Sequence, residues 1–108
     1  MKNIEILESK KIIDYEFAIN YMEEKLLEVK NNTAKELIWF LEHPSIYTSG
    51  RGNPVNQNYI NKIPIYNSGR GGKITWHGPG QRIIYFIIDL KKRELDIRRF
   101  VSNIEKFI

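Results

Sequence analysis

Five of the seven glycines in this 108-residue chain fall between Gly69 and Gly80, in the run Ser68-Gly69-Arg70-Gly71-Gly72-Lys73-Ile74-Thr75-Trp76-His77-Gly78-Pro79-Gly80-Gln81. Glycines leave backbone N–H groups uncovered, so such a run can wrap closely around a ligand and donate to its oxygens. A pair of tight β-turns would use the same glycines, but Arg70, Lys73 and His77 among them favour a binding loop. Dinucleotide and phosphate-loop patterns are absent: Gly69-x-Gly71 would need glycine where Ile74 stands, Gly78-x-Gly80 would need it at Ile83, and no Gly-Lys-Ser/Thr follows. A serine elbow of the G-x-S-x-G kind is also missing. His43 and His77 are the only histidines, and neither has another ligand type at helical spacing, so no metal site is expected. A lone histidine such as His77 is more often a hydrogen-bonded structural residue than a catalyst. With no cysteine there is no disulfide, no thiolate ligand and no thiol nucleophile. No Ser or Thr stands in a recognisable base-activated arrangement, so no catalytic residue is assigned.

Lys and Arg number 17 against 13 Asp and Glu, a net charge of +4, and the two signs are interleaved along the chain. That describes a solvated mixed surface rather than a nucleic-acid stripe. The length suits one domain with its own core. Met1 to Glu8 lacks the uncharged core of a signal peptide. The longest apolar stretch, Ile83 to Ile88, is far below the roughly 20 residues that span a bilayer, so no membrane is expected and the cytoplasm is the expected compartment.

The elements that must position the glycine run follow from periodicity. Ile4, Ile6 and Leu7 alternate with Glu5 and Glu8 as a short amphipathic strand. Asp14 can cap a helix from Tyr15 to about Val29, with Tyr15, Ala18, Ile19, Met22, Leu26 and Val29 on its buried face and Asn31-Asn32 at its end. Glu36 to Glu42 reads as a buried central strand stopped by His43-Pro44. Ile46 to Thr48 is a short β piece, Asn53 to Lys62 an irregular surface loop, and Ile63 to Tyr66 and Lys73 to Trp76 brief strands. Arg82 to Asp89 is the strongest strand and needs cover on both faces. Asp96 can cap a final helix with the stripe Ile97, Phe100, Val101, Ile104 and Ile108. The order predicts an α/β or α+β fold, a mixed sheet with flanking helices on one side. Tyr47-Thr48-Ser49-Gly50-Arg51-Gly52 also recurs as Tyr66-Asn67-Ser68-Gly69-Arg70-Gly71, two similar strand-exit turns.

Arg70-Gly71-Gly72-x-x-Thr75-Trp76-His77-Gly78-Pro79-Gly80-Gln81 closely resembles the R-G-G-x-x-T-[YW]-H-G-P-G-Q signature of the lipoyl(octanoyl) transferases. As in that family, an apolar strand, Asp89-Leu90 and a basic turn follow. Glu42-His43-Pro44-Ser45-Ile46-Tyr47-Thr48-Ser49-Gly50 resembles the family's upstream E-H-x-P-V-x-T-x-G segment, and residues 1–108 together are similar to the N-terminal part of the family's domain. The resemblance implies a catalytic domain of the biotin/lipoate protein ligase type and a ping-pong transfer without a cofactor. In it, octanoyl moves from octanoyl-acyl carrier protein to an enzyme cysteine. It then passes to a lysine of lipoyl domains in dehydrogenase complexes or of the glycine cleavage protein. The segment matching Arg70, Gly71, Gly72, Lys73, Ile74, Thr75, Trp76 and His77 would line the acyl-substrate site. Its backbone donors would face the thioester carbonyl, a developing oxyanion, and His77 could add another donor.

The family's acyl-bearing cysteine and its partner lysine belong to a C-terminal half with no counterpart in these residues. The chain is therefore expected to be a truncated domain, inactive alone and prone to self-association through exposed strand edges and apolar patches. Two other readings use the same residues. ATP-dependent lipoate ligases carry a similar glycine-rich strand pair, but their motif continues H-D-x-G-N where this one continues Gly78-Pro79-Gly80-Gln81. A non-catalytic RNA-binding module would use the exposed Arg-Gly turns, although two isolated copies do not resemble a disordered RGG tract.

Overall fold

In the computed structural model the Asp14 carboxylate accepts a hydrogen bond from the Phe17 backbone N–H at 3.1 Å and opens helix α1 (Tyr15–Lys30). The structure describes residues 4–50, 59–67, 74–90 and 97–107. At the other end of α1, the Thr33 N–H reaches the Glu28 carbonyl at 2.8 Å and the Asn32 N–H reaches Val29 at 3.1 Å. Asn32 adopts φ 61. This is a Schellman closure in which asparagine occupies the left-handed position usually given to glycine, which is why the helix ends at the Asn pair. The strands are β1 (Ile4–Ile12), β2 (Glu36–Glu42), β3 (Ile46–Ser49), β4 (Tyr59–Ile60), β5 (Ile63–Asn67), β6 (Thr75–His77) and β7 (Ile83–Ile87), and helix α2 (Ile97–Phe107) follows.

The strands divide into two sheets rather than the single one expected. The first has the order β1-β2-β7 and the second β4-β5-β3-β6. In the first, β2 lies centrally, parallel to β1 and antiparallel to β7. Its alternation assigns each residue to a face. Leu37, Trp39 and Leu41 are buried and pair with Ile87, Tyr85 and Ile83, forming the core against Ala18, Tyr21, Met22 and Val29 of α1. Each fully buried aliphatic side chain there contributes about 1.5–3 kcal/mol. The Trp39 indole N–H donates to Ser9 Oγ at 2.9 Å, so the large ring is buried without an unpaired donor.

Ile38, Phe40, Ile84 and Phe86 occupy the opposite face, half buried, where the Phe86 ring meets Phe100 of α2 edge-on at 5.6 Å. The two helices therefore contact opposite faces of this sheet, not one side. Three expected core positions also differ. Ile6 pairs with Ile38 on the α2 face and is 68% exposed, while Leu7 points to the core. Leu26 is 56% exposed because only the row Ala18–Met22–Val29, joined by Tyr21, lies over a sheet three strands wide. Val101 is exposed on α2, whereas Phe100 and Ile104 are half buried. The expected cap Asp96, the last stripe residue Ile108 and the side chain of Ile97 lie outside the described residues.

In the second sheet β3 runs parallel to β5 and antiparallel to β6, and β4 and β5 form a hairpin. Tyr59-Ile60 is thus a strand within the segment expected to be an irregular loop, and positions 53–58 lie outside the described residues. The hairpin turns through Asn61 at φ 49 and Lys62 at φ 67. Positive φ at both central positions is the type I′ geometry that matches strand twist, and Asn-Gly is its preferred pair. A lysine in the left-handed region costs about 1–2 kcal/mol, partly offset when glycine replaces it by the greater entropy glycine loses on folding. Lys62→Gly should therefore stabilise the chain by roughly 0.5–1 kcal/mol, read as a higher urea midpoint at unchanged slope.

Candidate functional site

The second half of the glycine-rich run enters the sheet as β6, pairing Thr75 with Thr48, Trp76 with Tyr47 and His77 with Ile46. Ile74 and His77 are half buried and Thr75 and Trp76 exposed. Arg70, Gly71, Gly72 and Lys73 lie outside the described residues. On the other side of β3, Ser49 pairs with Asn67 and donates its hydroxyl to the Asn67 Oδ1. The two copies of the near-repeat thus leave neighbouring parallel strands at the same sheet end, and the Arg-Gly turns themselves lie outside the described residues. The pairing is one residue out of step with the repeat, since Tyr47 faces Ile65 and not Tyr66.

Beyond β6, the Gln81 N–H donates to the Gly78 carbonyl at 3.0 Å, closing a turn with Pro79 second and Gly80 third at φ 91. Proline followed by a residue of positive φ is the type II signature. A Cβ at position 78 would collide with the Trp76 indole, so glycine there lets the ring lie against the turn. The Gly80 N–H donates to Glu42 Oε1 at 2.8 Å, across 38 residues of sequence. Glu42 ends β2, so the E-H-P segment holds the H-G-P-G-Q turn directly.

His77 is engaged at both ring nitrogens, with Nε2 3.1 Å from Thr48 Oγ1 and Nδ1 2.9 Å from Gln81 Oε1. His43 is fully buried. Its Nδ1 donates to the Ile13 carbonyl at 2.7 Å, and its Nε2 accepts from the Tyr85 hydroxyl at 2.8 Å. A carbonyl can only accept, which fixes the proton on Nδ1. Burial pushes the His43 pKa below its ordinary 6.5; the bond to Ile13 and the charge of Asp14 oppose that shift and the nearby His77 adds to it. Burial also pushes the Tyr85 phenol upward, with a contribution from Tyr15, so it remains a donor. Between the histidines lies the buried ring of Tyr15, edge-on to His43 at 5.1 Å and to Tyr66 at 5.0 Å, and stacked at 6.2 Å on His77. Tyr15 had no functional signal in sequence. The partners Thr48, Gln81 and Glu42 fall inside the quoted motif segments, but their pairing requires the fold.

Two cavities flank these elements. One of about 450 Å³ is lined by residues including Val29, Ala34, Glu36 and Asp89. The other, about 330 Å³, lies where β1 shifts register and is lined by residues including Lys10, Lys11, Glu42 and Arg82. Neither is lined by Thr75, Trp76 or His77. Among the described residues no three His, Asp or Glu side chains are placed to hold a metal ion, and no helix is long and apolar enough to cross a membrane.

Two mixed sheets, with helices on either face of one of them and a histidine-anchored glycine turn beside the other, define an α/β domain. The chain belongs to the lipoyl protein ligase A/B catalytic domain family, whose profile matches residues 14–108. It is 47% identical over 105 residues to an octanoyltransferase of Wolbachia pipientis wMel, an alignment covering 96% of this chain and 51% of that protein. It is 42% identical over 106 residues to an octanoyltransferase of Brucella melitensis biotype 1, covering 97% of this chain and 40% of the relative. An octanoyltransferase of Bartonella bacilliformis is 44% identical over 98 residues, with 90% of this chain and 41% of the relative covered. The chain thus spans about half or less of the length of these relatives.

The buried neutral His43 sets a pH dependence. Its folded pKa lies below the unfolded value near 6.5, so its contribution to stability is complete above that pH. As pH falls from there toward the folded pKa, the unfolded state takes up a proton that the native state does not, and stability declines. Urea melts between pH 7.5 and 5 should show this loss, and His43→Gln should flatten that part of the profile. Gly78→Ala places a methyl group against the Trp76 indole and should push the ring off the turn. A red shift in tryptophan emission and a loss of about 1 kcal/mol would report it.

Proposed function

We propose that these residues form the acyl-binding part of an octanoyltransferase of protein lipoylation, acting in the cytoplasm. The donor in this reading is octanoyl-acyl carrier protein and the acceptor a lysine of lipoyl domains in dehydrogenase complexes or of the glycine cleavage protein. Arg70, Gly71, Gly72, Lys73, Ile74, Thr75, Trp76 and His77 line the acyl site, with glycine backbone N–H groups turned to the thioester carbonyl oxygen. The observation that carries the reading is the meeting of the two signature segments: Glu42 on Gly80 and Thr48 on His77. The close fit of Gly78 under Trp76 supports a transferase over a ligase, whose motif would put an aspartate side chain at that position.

The covalent step of the reading is attack of a cysteine thiolate on the octanoyl thioester, which expels the carrier thiol, followed by transfer of octanoyl from cysteine to a lysine amine. These 108 residues contain no cysteine. On this reading the thiolate comes from outside them, and they bind the acyl group without turning it over. Titrating the chain with octanoyl-pantetheine should give saturable amide shifts at Thr75, Trp76 and His77, and intact-mass spectra should remain free of an octanoyl adduct. Gly72→Val should weaken binding roughly tenfold by occupying the space of the ligand. Absence of binding would overturn the substrate assignment, and a stable octanoyl ester or amide formed with turnover would overturn the division of labour.

A further inference from the structure

We infer that Thr48 and Gln81 are positioning residues that hold His77 in one neutral tautomer, with its proton on Nδ1, so that its ring nitrogens lock β6 to β3 and make no hydrogen bond to the acyl thioester, while its backbone stays in the segment that lines the site. The inference rests on the octanoyl-site reading for the identity of the ligand, but its geometry is independent of that reading.

Gln81 sets the direction of the chain of bonds. Its amide Nε2 donates to the Trp76 carbonyl at 3.4 Å, which leaves Oε1 facing His77 Nδ1 at 2.9 Å. An amide oxygen only accepts, so Nδ1 carries the hydrogen. The Nε2 of a neutral ring is then a lone pair, and the Thr48 hydroxyl donates to it at 3.1 Å. Each alternative open to the neutral ring brings two acceptors together. With the proton on Nε2, the Nδ1 lone pair would face Gln81 Oε1; with the amide turned over, Oε1 would face the Trp76 carbonyl. Thr48 cannot swing aside, because it is fully buried in β3 with β5 paired on one side and β6 on the other. The Tyr15 ring lies within 14° of parallel to His77, with ring centroids 6.2 Å apart. Both ring nitrogens are thus committed within the protein. The oxyanion-donor role expected of His77 from sequence passes to backbone N–H groups.

The test is a long-range proton–nitrogen correlation on the full chain labelled with 15N-histidine, at a pH where the ring is neutral. The expected His77 pattern is a protonated Nδ1 and a lone-pair Nε2. Thr48→Val should move the Nε2 resonance toward that of an unbonded lone pair, and Thr48→Ser should restore it. Gln81→Met should introduce the Nε2–H form, because the acceptor at Nδ1 is gone. Saturating octanoyl-pantetheine should leave the tautomer unchanged, while Thr48→Val weakens its binding several-fold. A wild-type His77 protonated on Nε2, or one whose tautomer changes when the thioester binds, would overturn the inference. If octanoyl-pantetheine does not bind at all, the substrate reading falls, and the tautomer of wild type and Gln81→Met still decides the positioning role.

Discussion

A neutral imidazole sealed from water governs the junction from which the rest of the structure extends. His43 stands where β2 stops before Pro44 and the chain passes from the first sheet toward the second. Its Nδ1–H reaches the carbonyl of Ile13, just before Asp14 opens α1, and its Nε2 accepts from Tyr85 in the middle of β7. One ring therefore fixes the exit of β1, the start of α1, the exit of β2 and the body of β7. It does so only while neutral, because an imidazolium has no lone pair for the Tyr85 hydroxyl and its charge would be buried. Tyr15, the first residue of α1, carries the constraint into the second sheet by packing against His43, Tyr66 and His77.

Features set by local chemistry were legible in the sequence. Asp14 as a cap, the Asn31-Asn32 stop, β2 ended by Pro44, and β7 as a strand all depend on residue type and nearest neighbours. What periodicity could not decide was which apolar residues a three-stranded sheet covers. Ile6 and Leu7 are equally apolar and adjacent, and only the parallel register with Ile38 and Trp39 assigns Leu7 to the core. Leu26 continues an apolar row along α1, but the narrow sheet does not reach under it. The division into two sheets was hidden for the same reason. Short strands such as Ile46–Ser49 and Thr75–His77 give no local signal of the partner they choose.

The near-repeat shows how far sequence similarity and register can separate. Tyr47-Thr48-Ser49-Gly50 and Tyr66-Asn67-Ser68-Gly69 align nineteen residues apart, yet the ladder joins Thr48 to Tyr66 and Ser49 to Asn67, eighteen apart. Because a one-residue slip turns every side chain to the opposite face, Tyr47 and Tyr66 point in opposite directions, as do Thr48 and Asn67. Thr48 therefore faces His77 from within the sheet, and the second copy cannot duplicate that contact.

The site motif was found in the sequence as a string, and the fold gives each letter a physical task. After His77, Gly78 makes room for the Trp76 indole. Pro79 presets its own φ, and Gly80 accepts a positive φ while its N–H finds the Glu42 carboxylate. Gln81 closes the turn through its backbone and returns through its side chain to His77. A phosphate loop uses glycines to expose donors at a helix N-terminus. In this turn Gly80 spends its donor on Glu42, and the residues around it fasten a β-strand end to two distant segments. Within the signature, His77 to Gln81 thus form an internally bonded anchor, tied to β2 through Glu42 and to β3 through Thr48.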